Sequence, residues 1–470
     1  MISEKESVFV KPKKAGAVKA KRSMTFSIVT LGCKVNQYES ESIAREMASS
    51  GFRKLDKQDA SKERLDIGII NTCTVTQKAA MQSRQAIRQM VRLNPGAAII
   101  VTGCLAQTAP EEIQAIEGVR YIVGHADKFR IPDIAFSMKP AREAAPEIIR
   151  RSVRDIQTFQ DMQLPATGSR TRSFLKIQDG CDAFCTYCIV PFARGPSRSM
   201  PMEHVLQHVR HIHEAGYREI VLTGIHLGRY GTDLSPALDL LHLLKRLHED
   251  ECMDRIRLSS VEPLELTNAL IELVAQANQR PGQICPHFHI PLQSGNDHIL
   301  KRMHRPYRRD YFRTLVLNIL NTIPHAAVGA DVLIGFPGET ADEFLNTLHL
   351  LEELPLAYLH VFPFSPRKGT PAATYPDHVP PPVVKERCRR ARALGVQKRS
   401  AFMKKYLHQP VEILVEGARD LHTGMLKGVT ANYIKVIMEG EDRLQNTFQT
   451  VYLERPVDAQ TILGRLQTPS

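Results

Sequence analysis

Short apolar runs alternate with helical patterns in the first third of the chain. Runs at 26–31, 65–70 and 97–101 have the length of buried strands, and the segment 77–93 has apolar residues at helical spacing. Strands that alternate with helices are typical of βαβ units, which build parallel sheets. The pattern therefore predicts an α/β fold class with an N-terminal parallel α/β domain, which we place at residues 24–138.

Six further apolar runs, separated by helical patterns, occupy the middle of the chain. They follow a stretch at 139–168 that has no periodicity and contains several prolines, so we predict a linker there. Repeated strand–helix units favour a partial (β/α)6 barrel, here over residues 169–400. The six predicted barrel strands are 174–178, 219–223, 255–259, 287–290, 328–334 and 356–362.

The last part of the chain has a different pattern. A proline cluster at 376–382 precedes a basic helical pattern at 383–405 that is rich in arginine. Short alternating runs without intervening helices then favour a small all-β barrel over residues 401–470. The predicted strands of this barrel are 411–415, 427–430, 433–437 and 448–453.

The chain of 470 residues is long enough for two or three domains, and it carries a net charge of +12. Positive charge favours a polyanionic partner but does not distinguish RNA from DNA or an anionic membrane surface. Residues 1–23 are basic and lack periodicity, so we predict a disordered, solvated tail rather than an RNA-binding arm. No apolar run approaches the roughly eighteen residues of a membrane span, and the basic start lacks a secretory signal's apolar stretch. We therefore expect a cytoplasmic protein without membrane contact.

Three of the nine cysteines lie close together, as Cys181-x-x-x-Cys185-x-x-Cys188, directly after a predicted strand. In a long chain of this kind, cysteines indicate metal ligands or free thiols rather than a disulfide framework. Thiolates at this spacing can converge on one metal centre, and three ligands around a 4Fe-4S cluster leave one iron open to substrate. The alternative is a zinc knuckle that takes a fourth ligand from elsewhere, such as His211 or Cys252.

A second group of cysteines is spread along the chain. Cys33, Cys73 and Cys104 each end one of the three predicted N-terminal strands. The carboxyl ends of parallel strands meet at one edge of a sheet, so we expect the three thiols to meet there, with Gly32 and Gly103 allowing close approach. The alternative is three buried structural cysteines. The remaining cysteines show no partner spacing and are predicted to be inert: Cys252, Cys285 and Cys388.

The loop 181–188, with Tyr187 before its last cysteine, resembles the signature of the radical S-adenosylmethionine (SAM) superfamily. In that superfamily the amino and carboxylate groups of SAM bind the open iron. An electron from the cluster then cleaves the sulfonium bond and gives a 5′-deoxyadenosyl radical. The resemblance implies SAM and a 4Fe-4S cluster as cofactors.

The sequences Thr-Leu-Gly-Cys-Lys-Val-Asn-Gln-Tyr-Glu at 30–39 and Asn-Thr-Cys-Thr-Val-Thr at 71–76, together with that loop, resemble the radical SAM methylthiotransferase family across nearly the whole chain. The C-terminal alternating runs resemble its TRAM module, a small RNA-binding barrel. The resemblance implies a second, auxiliary 4Fe-4S cluster, held by Cys33, Cys73 and Cys104 and thought to deliver the sulfur. One SAM would supply the methyl group and another the radical.

Within the family, the motif Gly-Cys-Lys-Val-Asn-Gln resembles the branch that acts on threonylcarbamoyladenosine beside the tRNA anticodon. The isopentenyladenosine branch typically has Gly-Cys-Gln-Met-Asn, and the ribosomal-protein branch has Gly-Cys-Pro-Lys-Asn. We therefore predict C2 methylthiolation of threonylcarbamoyladenosine in tRNA. The alternatives are the other two substrates and, from a different class, a non-enzymatic iron–sulfur or RNA-binding protein. The partners implied are tRNA, SAM and an electron donor such as flavodoxin or ferredoxin, and we expect a monomer.

Residues after the predicted barrel strands are candidates for SAM contact, because ligand groups in such folds come from the carboxyl ends of strands. Thr223 and Gly224 follow the second strand, near the expected methionine carboxylate. Ser260 and Glu262 follow the third, where ribose hydroxyls are expected, and Gln293 follows the fourth. A turn or core hydrogen bond explains each equally well. The predicted SAM contacts are Tyr187, Thr223, Gly224, Ser260, Glu262 and Gln293; beyond the cluster ligands no catalytic residue is predicted.

RNA contact is expected to depend on basic clusters that neutralise phosphates, at 301–309, 387–392 and 398–405. A solvated helix face explains any one of them equally well. Tyr433 is a candidate stacking partner for a flipped nucleoside. The stretch 364–370 also resembles the family, but its residues predict no role.

Overall fold

The computed structural model describes residues 23–55, 63–138, 145–162 and 171–467. These residues form three units in chain order: a parallel α/β unit, an open α/β barrel and a small closed β-barrel, as the fold class predicted. Apart from its last residue, the basic tail predicted at 1–23 lies outside the described residues. Among the helices that the structure describes, none combines the length and the apolar character that a membrane crossing requires.

The described residues of the N-terminal unit form six strands and five α-helices. In chain order they are β1 (Thr25–Thr30), α1 (Lys34–Ser49), β2 (Arg53–Lys54), β3 (Ile67–Thr72), α2 (Gln77–Leu93), β4 (Ala98–Gly103), α3 (Cys104–Thr108), α4 (Pro110–Gln114), β5 (Val119–Val123), α5 (Ile131–Phe136) and β6 (Glu147–Ile149). The strands form one parallel sheet of order β2-β1-β3-β4-β5-β6. β3 is buried along its whole length, because two apolar clusters cover the two faces of the sheet.

The three predicted N-terminal strands and the helix at 77–93 are confirmed. The prediction of a linker at 139–168 misses a strand, since residues 147–149 form β6 and pair with β5. β6 is an edge strand of three residues with no buried residue, and its two isoleucines are too few to form a recognisable apolar run. The described part of that stretch therefore extends the sheet, and the domain bounds at 24–138 remain a prediction.

The central unit is the open barrel. Its elements are β7 (Arg172–Lys176), β8 (Gln178–Asp179), α6 (Val190–Arg194), β9 (Arg198–Ser199), α7 (Met202–Glu214), β10 (Glu219–Thr223), α8 (Leu240–Glu249), β11 (Arg255–Leu258), α9 (Asn268–Gln276), β12 (Gln283–Ile284), β13 (His287–Gln293), α10 (Asp297–Arg302), α11 (Arg309–Thr322), β14 (Ala327–Ile334), α12 (Ala341–Glu353) and β15 (Tyr358–Pro363). The barrel consists of two parallel sheets, β12-β11-β10-β7 and β13-β14-β15. They adjoin where the backbone N–H of Val261 donates to the carbonyl of His289 at 3.0 Å. All six predicted strands are present, and a continuous apolar core packs the helices against them.

Helix α13 (Pro381–Lys404) connects the open barrel to the C-terminal unit and crosses the boundary predicted at residue 400. The strands of that unit are β16 (Pro410–Val415), β17 (Leu426–Thr430), β18 (Lys435–Met438), β19 (Phe448–Pro456) and β20 (Thr461–Leu466). They close into a barrel of order β16-β17-β18-β20-β19 around a small apolar core. The sequence pattern missed β20, which completes the closure between β18 and β19.

The N-terminal unit docks on the open barrel through a buried cluster of charged side chains. The guanidinium of Arg194 donates to Glu39 of α1 at 3.0 Å and to Asp179 of β8 at 2.8 Å. Lys176 of β7 donates to the same two carboxylates at 3.3 and 3.2 Å, and Lys128 donates to Glu39. All five side chains are at most 5% exposed. Ion pairs between the two units therefore compensate for the hydration that each charged group loses on burial.

The C-terminal unit docks through a second buried ion cluster. Glu219 of β10 accepts hydrogen bonds from Arg255 at 2.6 Å and from Arg257 at 2.8 Å. The two guanidinium groups also donate to the carbonyls of Val429 at 3.1 Å and Ala431 at 2.8 Å, in the C-terminal barrel. Burial opposes ionisation of Glu219, but the arginines outweigh it and hold its pKa well below the usual range. One carboxylate thus stabilises the pair of arginines that joins the two barrels.

Replacing Glu219 with Gln should destabilise the protein by about 3–5 kcal/mol, because two buried guanidinium groups lose their carboxylate. The measurement is the urea midpoint followed by circular dichroism, since the chain contains no tryptophan. The difference in urea midpoint between the variant and the parent protein should become smaller at acidic pH. A lowered carboxylate pKa contributes stability above the unfolded value of about 4.3, and that contribution is lost as the pH falls towards the folded-state value.

The matched control is Glu454→Gln, which removes the exposed pair between Glu454 and Arg465. An exposed pair contributes less than about 1 kcal/mol, so this midpoint should barely change. Equal midpoints for both variants would show that Glu219 has no special role in joining the barrels.

Candidate functional site

The three N-terminal cysteines lie at one edge of the parallel sheet. Cys33 follows β1 and precedes α1, Cys73 follows β3, and Cys104 begins α3 directly after β4. Because β1, β3 and β4 are neighbours in the sheet, the three loops are adjacent, as the sequence predicted. Cys33 is exposed, whereas Cys73 and Cys104 are buried.

Glycines allow these loops to pack closely. Gly32 has φ +99°, and a Cβ atom there would lie 2.8 Å from the Cβ of Cys73. Gly103 has φ +95°, and a Cβ atom there would lie 2.4 Å from the carbonyl oxygen of Thr72. Any larger residue would be strained in conformation and would push the loops apart. The glycines of the two motifs therefore fix the spacing of the cysteine loops.

The second cysteine trio lies on the loop between β8 and α6. The N–H of Cys181 donates to the carbonyl of Gly195 at 3.0 Å, and the N–H of Cys188 donates to the carbonyl of Cys185 at 2.9 Å. The N–H of Thr186 donates to the carbonyl of Met303 at 3.1 Å. These bonds hold the loop against the carboxyl ends of the barrel strands.

Two thiols of this loop have polar partners that the sequence did not reveal. The Nδ1 atom of His226 lies 3.4 Å from the sulfur of Cys181, and its other ring nitrogen lies 2.6 Å from Glu265. Burial opposes protonation of His226, but these two contacts outweigh it and raise its pKa to about 10. The guanidinium of Arg305 donates to the sulfur of Cys185 at 3.3 Å. Positive groups therefore lie beside the sulfur atoms of Cys181 and Cys185.

Arg305 belongs to the basic cluster at 301–309 that we predicted to contact RNA phosphates. For this residue the prediction is wrong: the side chain is buried, pairs with Glu262 and lies 3.1 Å from the hydroxyl of Tyr307. Other members of the predicted basic clusters also make internal bonds. Lys398 donates to carbonyls at the end of α12, and Arg399 donates to the carbonyl of Tyr433 at 2.8 Å.

The sulfur atoms of each cysteine trio are spaced more widely than one zinc ion requires. Zinc binds thiolates at about 2.3 Å, which places the sulfur atoms of one tetrahedral site roughly 4 Å apart. Among the described residues, the groups whose ligand atoms all lie within 4.8 Å of one another include neither cysteine trio. Burial raises the pKa of Cys73 and of Cys188 to about 12, so these thiols keep their protons until a metal displaces them. Three cysteines per loop group fit a cluster with one open iron.

The predicted SAM contacts occupy several different environments. Thr223 is buried and its carbonyl accepts the N–H of Ile177 at 3.0 Å, while Gly224 packs closely against the side chain of Gln178. Ser260 is exposed. Glu262 pairs with Arg305, as described above. Tyr187 and Gln293 line a cavity. For all six residues, contact with SAM remains a prediction.

That cavity, of about 210 Å³, lies between the two cysteine groups. Val75 and Thr76, just after Cys73, form one wall, and the other wall contains Tyr187 and Cys188. Side chains of the barrel strands complete it: Gln293, Asp331, Leu333 and Phe362. A molecule bound there contacts both cysteine-bearing regions at once.

A bridging segment, residues 364–372, connects the two cysteine loops. The hydroxyl of Ser365 accepts the N–H of Gln77 at 2.8 Å, and Arg367 donates to the hydroxyl of Thr74, close to Cys73. The N–H of Ala372 donates to the carbonyl of Thr186 in the second loop at 2.8 Å. The bridging segment, which includes the stretch 364–370 for which the sequence predicted no role, thus fixes one loop relative to the other.

A polar ladder leads from the cavity into the barrel lumen. Asp331 accepts a hydrogen bond from His289 at 2.7 Å and lies 3.3 Å from His360. The hydroxyl of Tyr358 lies 2.9 Å from His289 and 2.8 Å from His287. His289, Asp331 and His360 have the geometry of a metal-binding group, as do Glu39, His125 and Asp179. The hydrogen bonds of the ladder and the ion pairs of the buried cluster account for both groups without a metal.

Comparison with known proteins agrees with this architecture. Residues 25–124 match Uncharacterized protein family UPF0004, and residues 175–351 match the Radical SAM superfamily. The threonylcarbamoyladenosine tRNA methylthiotransferase MtaB of Bacillus subtilis (strain 168) is 39% identical, over 89% of this chain and 91% of that protein. The tRNA-2-methylthio-N(6)-dimethylallyladenosine synthase of Moorella thermoacetica is 32% identical, over 95% and 98%.

Among solved structures, the radical S-adenosylmethionine methyltransferase TsrM from Kitasatospora setae has a TM-score of 0.55 at 12% identity. The alignment covers 75% of this chain and 77% of that chain, so the two share a fold. The similarity to the curated relatives extends over nearly the whole length of both partners. This chain therefore belongs to the radical SAM methylthiotransferase family.

Proposed function

We propose that the protein is a tRNA methylthiotransferase that converts N6-threonylcarbamoyladenosine beside the anticodon to its 2-methylthio derivative. The observation that carries this proposal is the cavity of about 210 Å³ whose walls come from both cysteine-bearing regions. A nucleobase in that cavity would lie next to a source of sulfur and a source of radicals. Relatives named for threonylcarbamoyladenosine are 34–39% identical, and those named for dimethylallyladenosine are 32% identical, which favours the first substrate.

The two cysteine groups would each hold a 4Fe-4S cluster. Cys181, Cys185 and Cys188 would hold the cluster that binds SAM, and the auxiliary cluster would be held by the N-terminal group: Cys33, Cys73 and Cys104. When bound, the first supplies the electron that cleaves SAM, and the second supplies the sulfur. This arrangement gives two clusters and SAM as cofactors.

The side chains around the SAM-binding group have positioning roles. Arg305 offsets the negative charge of the thiolates, and Glu262 and Tyr307 hold its guanidinium in place. His226 offers a second positive group at Cys181. Both groups lie where they would offset the negative charge of sulfur atoms bound to a cluster.

A second, larger cavity of about 730 Å³ is a suitable path for the RNA strand. It adjoins the second cysteine loop through the exposed ring of Phe184, and cationic side chains line its other side: Arg150, Arg151, Arg154 and Lys368. Cations neutralise phosphates, and an exposed aromatic ring offers a base a stacking surface. The partners we propose are tRNA, SAM and an electron donor of the flavodoxin or ferredoxin type, with the chain acting as a monomer.

The first test is mass spectrometry of nucleosides from total tRNA of a deletion strain and its parent. We expect 2-methylthio-threonylcarbamoyladenosine to disappear and unmethylthiolated threonylcarbamoyladenosine to accumulate. A plasmid copy of the gene should restore the product. Loss of the isopentenyl derivative instead would assign the other tRNA substrate, and an unchanged nucleoside profile would contradict a role in tRNA methylthiolation.

The second test separates the roles of the two cysteine groups. The variant Cys73→Ala should lose about half of the bound iron, because one of the two clusters loses a ligand. It should still cleave SAM but no longer insert sulfur into RNA. The measurements are iron content, 5′-deoxyadenosine formation and methylthiolated nucleoside.

The matched control is Cys252→Ala, which removes a buried cysteine from the apolar core of the barrel, away from both loops. It should retain all the iron and both activities. Loss of SAM cleavage in Cys73→Ala alone would refute the division of roles between the two groups.

A further inference from the structure

The lumen of the open barrel has an excess of positive charge at the end that faces the C-terminal unit. Glu219 interacts with three guanidinium groups, and Arg172, one of them, also pairs with Glu416 at 3.2 Å. Lys34 lies near the same charged groups. We call this end of the lumen the cationic floor. Its basic residues are Lys34, Arg172, Arg255 and Arg257, and its carboxylates are Glu219 and Glu416. Four basic side chains thus face two carboxylates.

Lys34 is the cation that lacks a protein partner. It follows Cys33 at the start of α1, and it is half-buried close to Tyr433, Arg172 and Arg257. Within the described ranges, its ammonium group has no hydrogen-bond or ion-pair partner. A half-buried ammonium group beside two guanidinium groups is stabilised by an anion. The floor therefore has the charge of an anion-binding site.

Aromatic and imidazole rings form the rest of this floor. Tyr433 stacks on His287 with ring centroids 4.6 Å apart, and the guanidinium groups of Arg257 and Arg172 lie 5.0 and 5.8 Å from the Tyr433 ring. The Nδ1 atom of His287 is buried and has no hydrogen-bond partner, and the same is true of one nitrogen of Arg255. These polar atoms add to the hydrogen-bonding capacity of this end of the lumen that the protein itself leaves unused.

The polar ladder joins this floor to the cavity beside the cysteines. Asp331 lines the cavity, and hydrogen bonds lead from it through His289 and Tyr358 to His287. A nucleobase in the cavity would therefore extend its N6 substituent towards the cationic floor. The threonylcarbamoyl group ends in a carboxylate and a hydroxyl, whereas the dimethylallyl group is an uncharged hydrocarbon. Only the first complements the charge of the floor.

We infer that Lys34, together with Arg172 and Arg257, binds the carboxylate of the threonylcarbamoyl group and that this contact selects the substrate. The inference rests on the proposed function, because it takes the modified adenosine as the ligand of the cavity. A neutral substituent would leave the ammonium group of Lys34 without a partner. Specificity of this kind arises from leaving a polar group unpaired with the wrong substrate as well as from attraction to the right one.

The test compares two anticodon stem-loop RNAs, one with threonylcarbamoyladenosine and one with its methyl ester. Binding to the cluster-loaded protein is measured by fluorescence anisotropy without SAM, and methylthiolation is measured separately. The wild-type protein should bind the acid more tightly than the ester, on the order of tenfold to a hundredfold, because the ester lacks the charge. In Lys34→Gln this preference should fall to about twofold or less, and Lys34→Arg should keep most of it.

The matched control is Lys245→Gln, which removes an exposed lysine from the outer helix α8. It should keep the wild-type preference for the acid. An equal preference in Lys34→Gln and in the wild type, or no preference in the wild type, would overturn the inference. If the wild type prefers the acid but methylthiolates neither RNA, the proposed function fails while carboxylate recognition stands.

Discussion

The arrangement of the two cysteine groups depends on the buried guanidinium of Arg194. It donates to Asn36 at 2.6 Å and to Glu39 from the N-terminal unit, and to Asp179 two residues before Cys181. Separating the units would leave these charges buried without partners or would require their resolvation. Breaking a buried ion pair costs several kcal/mol, so the two cysteine groups are held at a fixed spacing.

The motif residues around the first cysteine serve the same purpose. The side-chain amide of Asn36 donates to the carbonyls of Leu31 and Thr72, on the two strands that carry Cys33 and Cys73. Asn71 donates to the carbonyl of Asn36 and to the hydroxyl of Ser40. The bridging segment 364–372 also joins the loops. Each cysteine loop beside the cavity is therefore held by hydrogen bonds from more than one part of the chain.

The sequence was sufficient to predict the features that follow from periodicity and topology. Three cysteines at the ends of neighbouring parallel strands had to meet, because the direction of βα crossovers leaves no other choice. Two short segments escaped this reasoning: β6 is an unburied edge strand, and the short strand β20 was not recognised as a separate run.

The polar side chains of the site were much harder to predict. Arg305 contacts a cysteine 120 positions away, and His226 contacts one 45 positions away, so no local pattern marks either contact. Two arginines of the predicted RNA-binding clusters, Arg305 and Arg399, are buried and bond to other parts of the protein, which no local pattern in the sequence indicates. A basic pattern reports charge but not the direction in which each side chain points. The sequence is equally unable to identify the SAM contacts, since a residue at a strand end can also stabilise a turn.

The burial of two of the three N-terminal cysteines has a consequence for maturation of the protein. Cys33 is open to the outside, but Cys73 and Cys104 are covered in the folded protein. A metal group that arrives from outside therefore meets Cys33 before the other two thiols. The loops that cover Cys73 and Cys104 have to move before it reaches all three sulfur atoms.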